Sequence, residues 1–261
     1  MYKLYKKGQI FFYVLIRSWN SYEYFDRCVD SILNQTYKNF KILFVDDSSN
    51  YTKKQKEYIR KKLKNHTVVF NKKRKFSVFN AYKMLRKYAE NNDAIVLNLD
   101  GDDWLLGRMV LEYLAKVYSE NPECLLSFGE CVFWDGKKNS TPSRFVKEYT
   151  NIPYPKKVIR QNSFRKYPFS PLHPRTWKVW LFKKIRKQDL LRPDGTWLEF
   201  AEDLAMFLPM LEMAAERYKV IKIPLYVYNI SSKHSDVKDN LLGLLKDELI
   251  IRKKKPYAKI R

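Results

Sequence analysis

Short apolar runs that alternate with amphipathic stretches through the first half of the sequence restrict the fold more than any other feature. The runs are Ile10–Ile16, Phe40–Val45, Thr67–Phe70 and Ala94–Leu99. Between them, Phe25, Val29, Ile32 and Leu33 recur at helical spacing, as do Tyr82, Leu85 and Ala89, so each set lies on one face of a helix. Strand and helix in strict alternation is the pattern of βα units feeding a mostly parallel sheet flanked by helices. The expected class is therefore α/β.

The second half reads less regularly. Leu105–Tyr118 is expected as a helix and Leu125–Trp134 as a strand. From 135 to 174 the composition shifts to Pro, Lys, Tyr and Ser without clear period, a stretch too long for an ordinary loop and read here as an excursion or lid. Helix is expected again over Arg175–Ile185. Glu202–Arg217 is apolar on more than one face and reads as a buried helix kinked or restarted at Pro209. Tyr218–Asn229 reads as two strands broken at Pro224, and Asp239–Arg261 as an amphipathic helix with a basic end.

Composition sets the outer limits. With 261 residues, 45% hydrophobic and 16% aromatic, the chain can bury a sizeable core. Its three cysteines, Cys28, Cys124 and Cys131, cannot make a disulfide framework and read as buried small side chains of a reducing compartment. The run IFFYVLI is far shorter than the ~20 residues of a spanning helix and carries no cleavage site, so a cytoplasmic protein is expected. Fifty-one Lys and Arg against 28 Asp and Glu give a net charge of +23. The cations concentrate in KKQKEYIRKKLK at 53–64, KKRK at 72–75 and RKKK at 252–255. Such a surface attracts anionic membrane or phosphate-bearing ligands. No helix-turn-helix, zinc-finger or RNP-type module accompanies it, so no specific nucleic-acid partner is expected.

Chemistry points to the strand ends. In open parallel sheets, ligands sit outside the carboxyl ends of the strands. The first run leads into Arg17, Ser18, Trp19 and Asn20, the second into Asp46, Asp47, Ser48 and Ser49, the fourth into Asp100, Gly101, Asp102 and Asp103. Two acidic clusters on one edge repel unless a cation lies between them. Mg²⁺ or Mn²⁺ carrying a diphosphate is the natural candidate, because either ion takes carboxylate and phosphate oxygens together.

VLIRSWNSYEYFDRCVDSILNQTYKNFKILFVDDSSN resembles the opening of the family 2 nucleotide-sugar glycosyltransferases with the GT-A fold, and AIVLNLDGDDWL resembles their metal-binding segment. HPRTW, FAEDLAMFLPMLEMA and PLYVYN are similar to acceptor-side segments of some of these enzymes. The resemblance implies a metal-dependent transfer of a sugar from a nucleotide diphosphate donor, most often uridine-linked, to a hydroxyl of a glycan, protein or lipid, with inversion. It makes residues 1–134 the nucleotide-sugar and metal half, 135–174 the excursion, and 175–261 the acceptor half. By the same resemblance, Asp46 and Asp47 recognise the base, Asp100 faces the ribose and shares the metal with Asp102, and Asp103 supports the turn. Arg17, Trp19, Asn20, Ser77, Asn80 and Gly101 complete the donor pocket. Ser232 and His234 fall where relatives carry a loop touching the diphosphate, with His234 also a candidate metal ligand. Asp203 matches the carboxylate that deprotonates the acceptor.

The sequence departs from the family pattern at Arg17, where Pro is usual, at Ser48, where Gly is common, and at Tyr51, in place of an Asp. Local alternatives stand beside these roles. Asp46 or Asp47 can cap the following helix, Glu202 and Asp203 can serve only the helix dipole, and His173 and His234 can be structural. The competing reading of the whole chain is a catalytically inactive GT-A-like protein that binds nucleic acid or another polyanion through its basic surface.

Overall fold

The computed structural model describes residues 9–143, 146, 148, 150–233 and 236–260. Strand β1 (Phe12–Ser18) is buried along its whole length and sits at the centre of the parallel unit, flanked by β2 (Phe40–Asp46) and β4 (Ile95–Asp100), with β3 (Thr67–Phe70) outside β2. All four run in parallel. β1 is a continuous apolar run because helices cover both faces of the sheet. Tyr13 and Leu15 enter one core with α3 (Phe76–Tyr88), and Phe12, Val14 and Ile16 enter the other with α1 (Phe25–Leu33). Helix α2 (Lys53–Lys62) starts at a capping box in which Thr52 and Gln55 satisfy each other's backbone N–H groups.

Beyond β4 the sheet changes direction. Strand β8 (Arg175–Lys178) lies antiparallel between β4 and β6 (Leu126–Trp134), and β9 (Tyr218–Asn229) follows, parallel to β6. The short β5 (Trp104–Leu105) pairs with β9, and β7 (Asn139–Ser140) with β6. Helix α4 (Val110–Glu120) packs on the α1 side, while α6 (Val179–Lys183) and α7 (Glu202–Ala214) cover the α3 side.

Four expectations are corrected here. Leu105 belongs to β5 and not to a helix: its backbone pairs with Tyr226, Gly107 then turns at φ 93°, and helix begins only at Val110. Arg175–Lys178 is strand, because this segment fills the gap between β4 and β6 and satisfies both edges. Pro224 does not break β9; the ladder absorbs it through register shifts around Glu130. Pro209 lies inside an unbroken α7.

The 135–174 stretch contains α5 (Lys156–Gln161) and buries Tyr154, Val158 and Phe164 in the α3-side core. The last helix, α8 (Asp236–Lys253), departs from helical geometry at Asn240 and is followed by an extended tail whose Tyr257 and Ile260 pack on the same core. A buried ion pair ties these parts together. Arg165, just beyond α5, grips Glu212 of α7 with two hydrogen bonds of 2.6 and 2.9 Å, and Glu212 also accepts the Tyr257 N–H at 3.0 Å. Removing one partner of a buried pair strands the other charge. Glu212→Ala is therefore expected to lower the unfolding free energy by ~3–5 kcal/mol in chemical denaturation; a loss below ~1 kcal/mol would show that the pair fastens nothing.

Candidate functional site: a cavity at the carboxyl edge of the sheet

Register places the charged strand ends. Arg17 lies level with Asp100 across the β1–β4 ladder, and Ser18 level with Asp46 across β1–β2. Arg17 is only 6% exposed, yet its guanidinium donates to Asp100 Oδ1 at 2.6 Å and pairs through its other terminal nitrogen with Glu202, the first residue of α7. Burial opposes its charge, but Glu202 and Asp100 outweigh that effect and hold it more firmly protonated than a free arginine.

The turn after β4 is pressed against β1. Gly101 N–H donates to the Arg17 carbonyl at 2.9 Å, and a Cβ on Gly101 would stand 2.9 Å from Ser18 Cα and from Ser21 Oγ. Only glycine fits that approach. Asp103 N–H closes the turn on the Asp100 carbonyl at 3.0 Å, and the Asp103 carboxylate points inward, accepting from Tyr226 Oη at 2.7 Å and Asn229 N–H at 2.8 Å. Burial, with Asp102 and Asp100 nearby, pushes the Asp103 carboxyl well up. Asp103 thus anchors the turn to β9, and Asp100, Asp102 and Asp103 all border the cavity.

The second acidic cluster behaves otherwise. Asp47 accepts the N–H groups of Lys75 and Phe76 and the Asn71 amide, each at 2.8 Å, at the amino end of α3. Asp46 is fully buried and accepts the Ser49 N–H at 3.1 Å, and burial raises its carboxyl. Asn80 accepts from Asn71 at 2.7 Å, and the Asn20 N–H donates to Ser49 Oγ at 2.7 Å. These four residues stand in the wall and not among the groups lining the cavity. The helix that Asp47 caps is α3, since α2 has Thr52. Ser48 takes φ 67°, the left-handed region that favours glycine, and Tyr51 Oη lies 3.0 Å from Ser18 Oγ, bracing the loop after β1.

Trp19, Ser77 and Ser232 do line the cavity, as does Arg74, whose guanidinium stacks 3.4 Å over the Trp19 ring. His234 lies outside the described residues. On the far wall, Ala201 at φ 52° turns the chain into α7, and Glu202 and Asp203 face the cavity from its first turn. Asp203 pairs with Arg175, which β8 holds 5% exposed and which also donates to the Pro171 carbonyl at 3.3 and 3.4 Å. Burial tends to raise the Asp203 carboxyl, but the Arg175 guanidinium beside it prevails and brings it below the usual range. Burial and the neighbouring Asp203 and Asp100 push Glu202 the other way, against the pull of Arg17. His173 stacks on Tyr226 and Tyr228, with centroids 4.6 and 5.7 Å away, and burial with Arg175 alongside keeps its imidazole neutral.

The cavity encloses about 580 Å³ and brings the β4 turn and the start of α7 onto opposite walls. Sequence reasoning did not single out Arg175, Glu202, Tyr226 or Asn229 as site residues. Arg175, Tyr226 and Asn229 lie inside the HPRTW and PLYVYN segments, which carried a family signal but no individual one. Among the described residues, no three His, Cys, Asp or Glu side chains converge closely enough to cage a metal by themselves. Two hard carboxylates on an open wall nevertheless suit Mg²⁺ or Mn²⁺, which take one or two protein carboxylates and fill the remaining positions with phosphate oxygens and water.

Solved structures share this architecture. The Staphylococcus aureus TarS 1–349 structure in complex with UDP-GlcNAc aligns with a TM-score of 0.61 at 21% identity, covering 88% of this chain and 61% of that one. A mannosyltransferase from Pyrobaculum calidifontis, in complex with GDP-Man and Mn²⁺, aligns with a TM-score of 0.56 at 18% identity, covering 94% of this chain and 65% of that one. The chain thus spans about three fifths of the TarS 1–349 structures and 37% of the longer TarS structure it also matches. No curated protein matches the sequence significantly. These likenesses establish the GT-A fold, and the family model for glycosyl transferase family 2 matches residues 13–185, well over half of the sequence. The chain belongs to glycosyl transferase family 2.

Proposed function

We propose that the chain transfers a sugar from a nucleotide diphosphate donor, uridine-linked, to a hydroxyl of a glycan, protein or lipid acceptor, with inversion at the anomeric carbon. The observation that carries this reading is one cavity with Asp100 and Asp102 on one wall and Asp203 on the other. The TarS and mannosyltransferase structures, solved with UDP-GlcNAc and with GDP-Man and Mn²⁺, support a nucleotide-sugar donor.

On the donor side, Trp19, Arg74 and Ser77 bound the space for the nucleotide, and Arg74 offers a cation toward the diphosphate. Asp102 and Asp100 would hold Mn²⁺ or Mg²⁺, which when bound neutralises charge growing on the departing diphosphate. Asp46, Asp47, Asn20 and Asn80 act through the wall they build: Asp47 fixes the start of α3, whose Ser77 lines the cavity. Ser232 closes the β9 side, where His234 follows in sequence.

On the acceptor side, Asp203 takes the proton from the attacking hydroxyl. A base works best when its pKa is near the working pH, and Arg175 draws Asp203 below that. The carboxylate is therefore ionised throughout the neutral range, and it gains the proton late, as the leaving group departs. His173, neutral and stacked, shapes the wall between the two halves.

Two measurements test the assignment. Asp203→Asn is expected to lower the transfer rate by ~10²–10⁴ while leaving donor affinity unchanged; weakened donor binding with transfer preserved would contradict it. In calorimetry, Mn²⁺ should tighten UDP-sugar binding, and Asp102→Ala should remove at least about tenfold of that affinity. Equal binding with and without Mn²⁺ would argue against a metal at the β4 turn. The pH dependence follows from the direction at Asp203. Its depressed pKa keeps activity into the acid range, and Arg175→Leu, by removing the lowering charge, should move the acid limb of the rate profile to higher pH.

A further inference from the structure

Helix α8 presents an apolar stripe to solvent. Leu241, Leu242, Leu245 and Leu249 are 52%, 63%, 49% and 58% exposed, whereas Ile251 on the opposite side is buried in the core. All four follow the break at Asn240, and at 100° per residue they fall within an arc of about 100°. Isolated exposed leucines are ordinary; four on one face form a patch that calls for an occupant. The patch adjoins the cavity, since Leu244 of the same helix and Ile230, itself 44% exposed, line it.

Charge selects the occupant. Asp247 is consumed by two hydrogen bonds from Arg192 at 2.8 and 2.9 Å, and Glu248 by Arg252 at 2.7 Å. Lys246 and Lys253 are exposed at the margin of the stripe, and Lys255 and Lys259 are exposed in the tail that follows. A second copy of a chain with a net charge of +23 would meet self-repulsion at such a face. Leucines flanked by lysines instead match an anionic lipid surface, where apolar side chains enter the headgroup boundary and cations meet lipid phosphates. No helix among the described residues is long and apolar enough to cross a membrane, so the helix would lie on the surface and not span it.

We propose that α8 and its basic tail seat the protein on an anionic lipid surface through the Leu241, Leu242, Leu245 and Leu249 face, with the cavity mouth beside the headgroups. The inference is independent of the transfer chemistry, because lipid binding is read without turnover.

The test is flotation of the full chain with phosphatidylcholine vesicles, with and without phosphatidylglycerol, alongside heparin binding and sedimentation. Binding to the anionic vesicles alone is expected, with Leu242→Ser combined with Leu249→Ser weakening it at least about tenfold. Because both positions are already solvent-exposed, the melting temperature and heparin affinity of that variant should stay as in the parent. Three results would overturn the proposal: no flotation with anionic vesicles, flotation equal in the leucine variant, which would mean charge adsorption only, or a dimer of the parent that the variant dissolves.

Discussion

The guanidinium of Arg17, nearly without solvent, holds Asp100 on one side and Glu202 on the other, and both halves of the cavity hang from it. Through Asp100 it fixes the turn that carries Asp102; through Glu202 it fixes the first turn of α7, which carries Asp203. Neither acid is adjacent to Arg17 in sequence. The β1–β4 register brings the first beside it, and the left-handed turn at Ala201 delivers the second. A second arginine repeats the device, since Arg175 on β8 holds Asp203. Two buried cations thus position three acids on opposing walls.

Such an arrangement is costly unless every member has a partner. Charges removed from water lose several kcal/mol of hydration each, and their attraction restores that only when the geometry is complete. Here the guanidinium has its two acids, the turn that carries Asp100 is fastened to β1 by the Gly101 N–H on the Arg17 carbonyl, and Asp103 is satisfied from β9 by Tyr226 and Asn229. The structure therefore stores in its own side chains part of the positive charge that two acidic strand ends had called for. A donor-bound metal would add to a site that Arg17 already partly neutralises at Asp100.

Much of this was legible in the sequence, and the limits have physical causes. The parallel unit β3-β2-β1-β4 could be read because strands buried on both faces are uniformly apolar and their helices keep a clean period. Arg175–Lys178 was misread because a four-residue strand between two others is too short to show alternation, and the helix after it lent it a helical pattern. Asp102, Asp203, Trp19, Ser77 and Ser232 do line the cavity. The partners of Asp47 were hidden, because Lys75 and Phe76 reach it from the start of α3, well downstream in sequence. Arg17 was visible as a departure from the family pattern, yet its partner Glu202 lies on an element whose docking no local pattern reports.

The claim that one buried cation couples the donor and acceptor walls is tested most directly by a double-mutant cycle on unfolding free energy with Arg17→Met and Glu202→Gln. Removing the arginine alone leaves Asp100 and Glu202 without their shared partner and should cost ~3–5 kcal/mol, whereas adding the glutamine change removes a buried acid that has lost its partner and should recover part of that loss. A coupling energy of roughly 1–3 kcal/mol is the predicted result. Strict additivity of the two single variants would show that the two walls are held independently and that Arg17 does not join them.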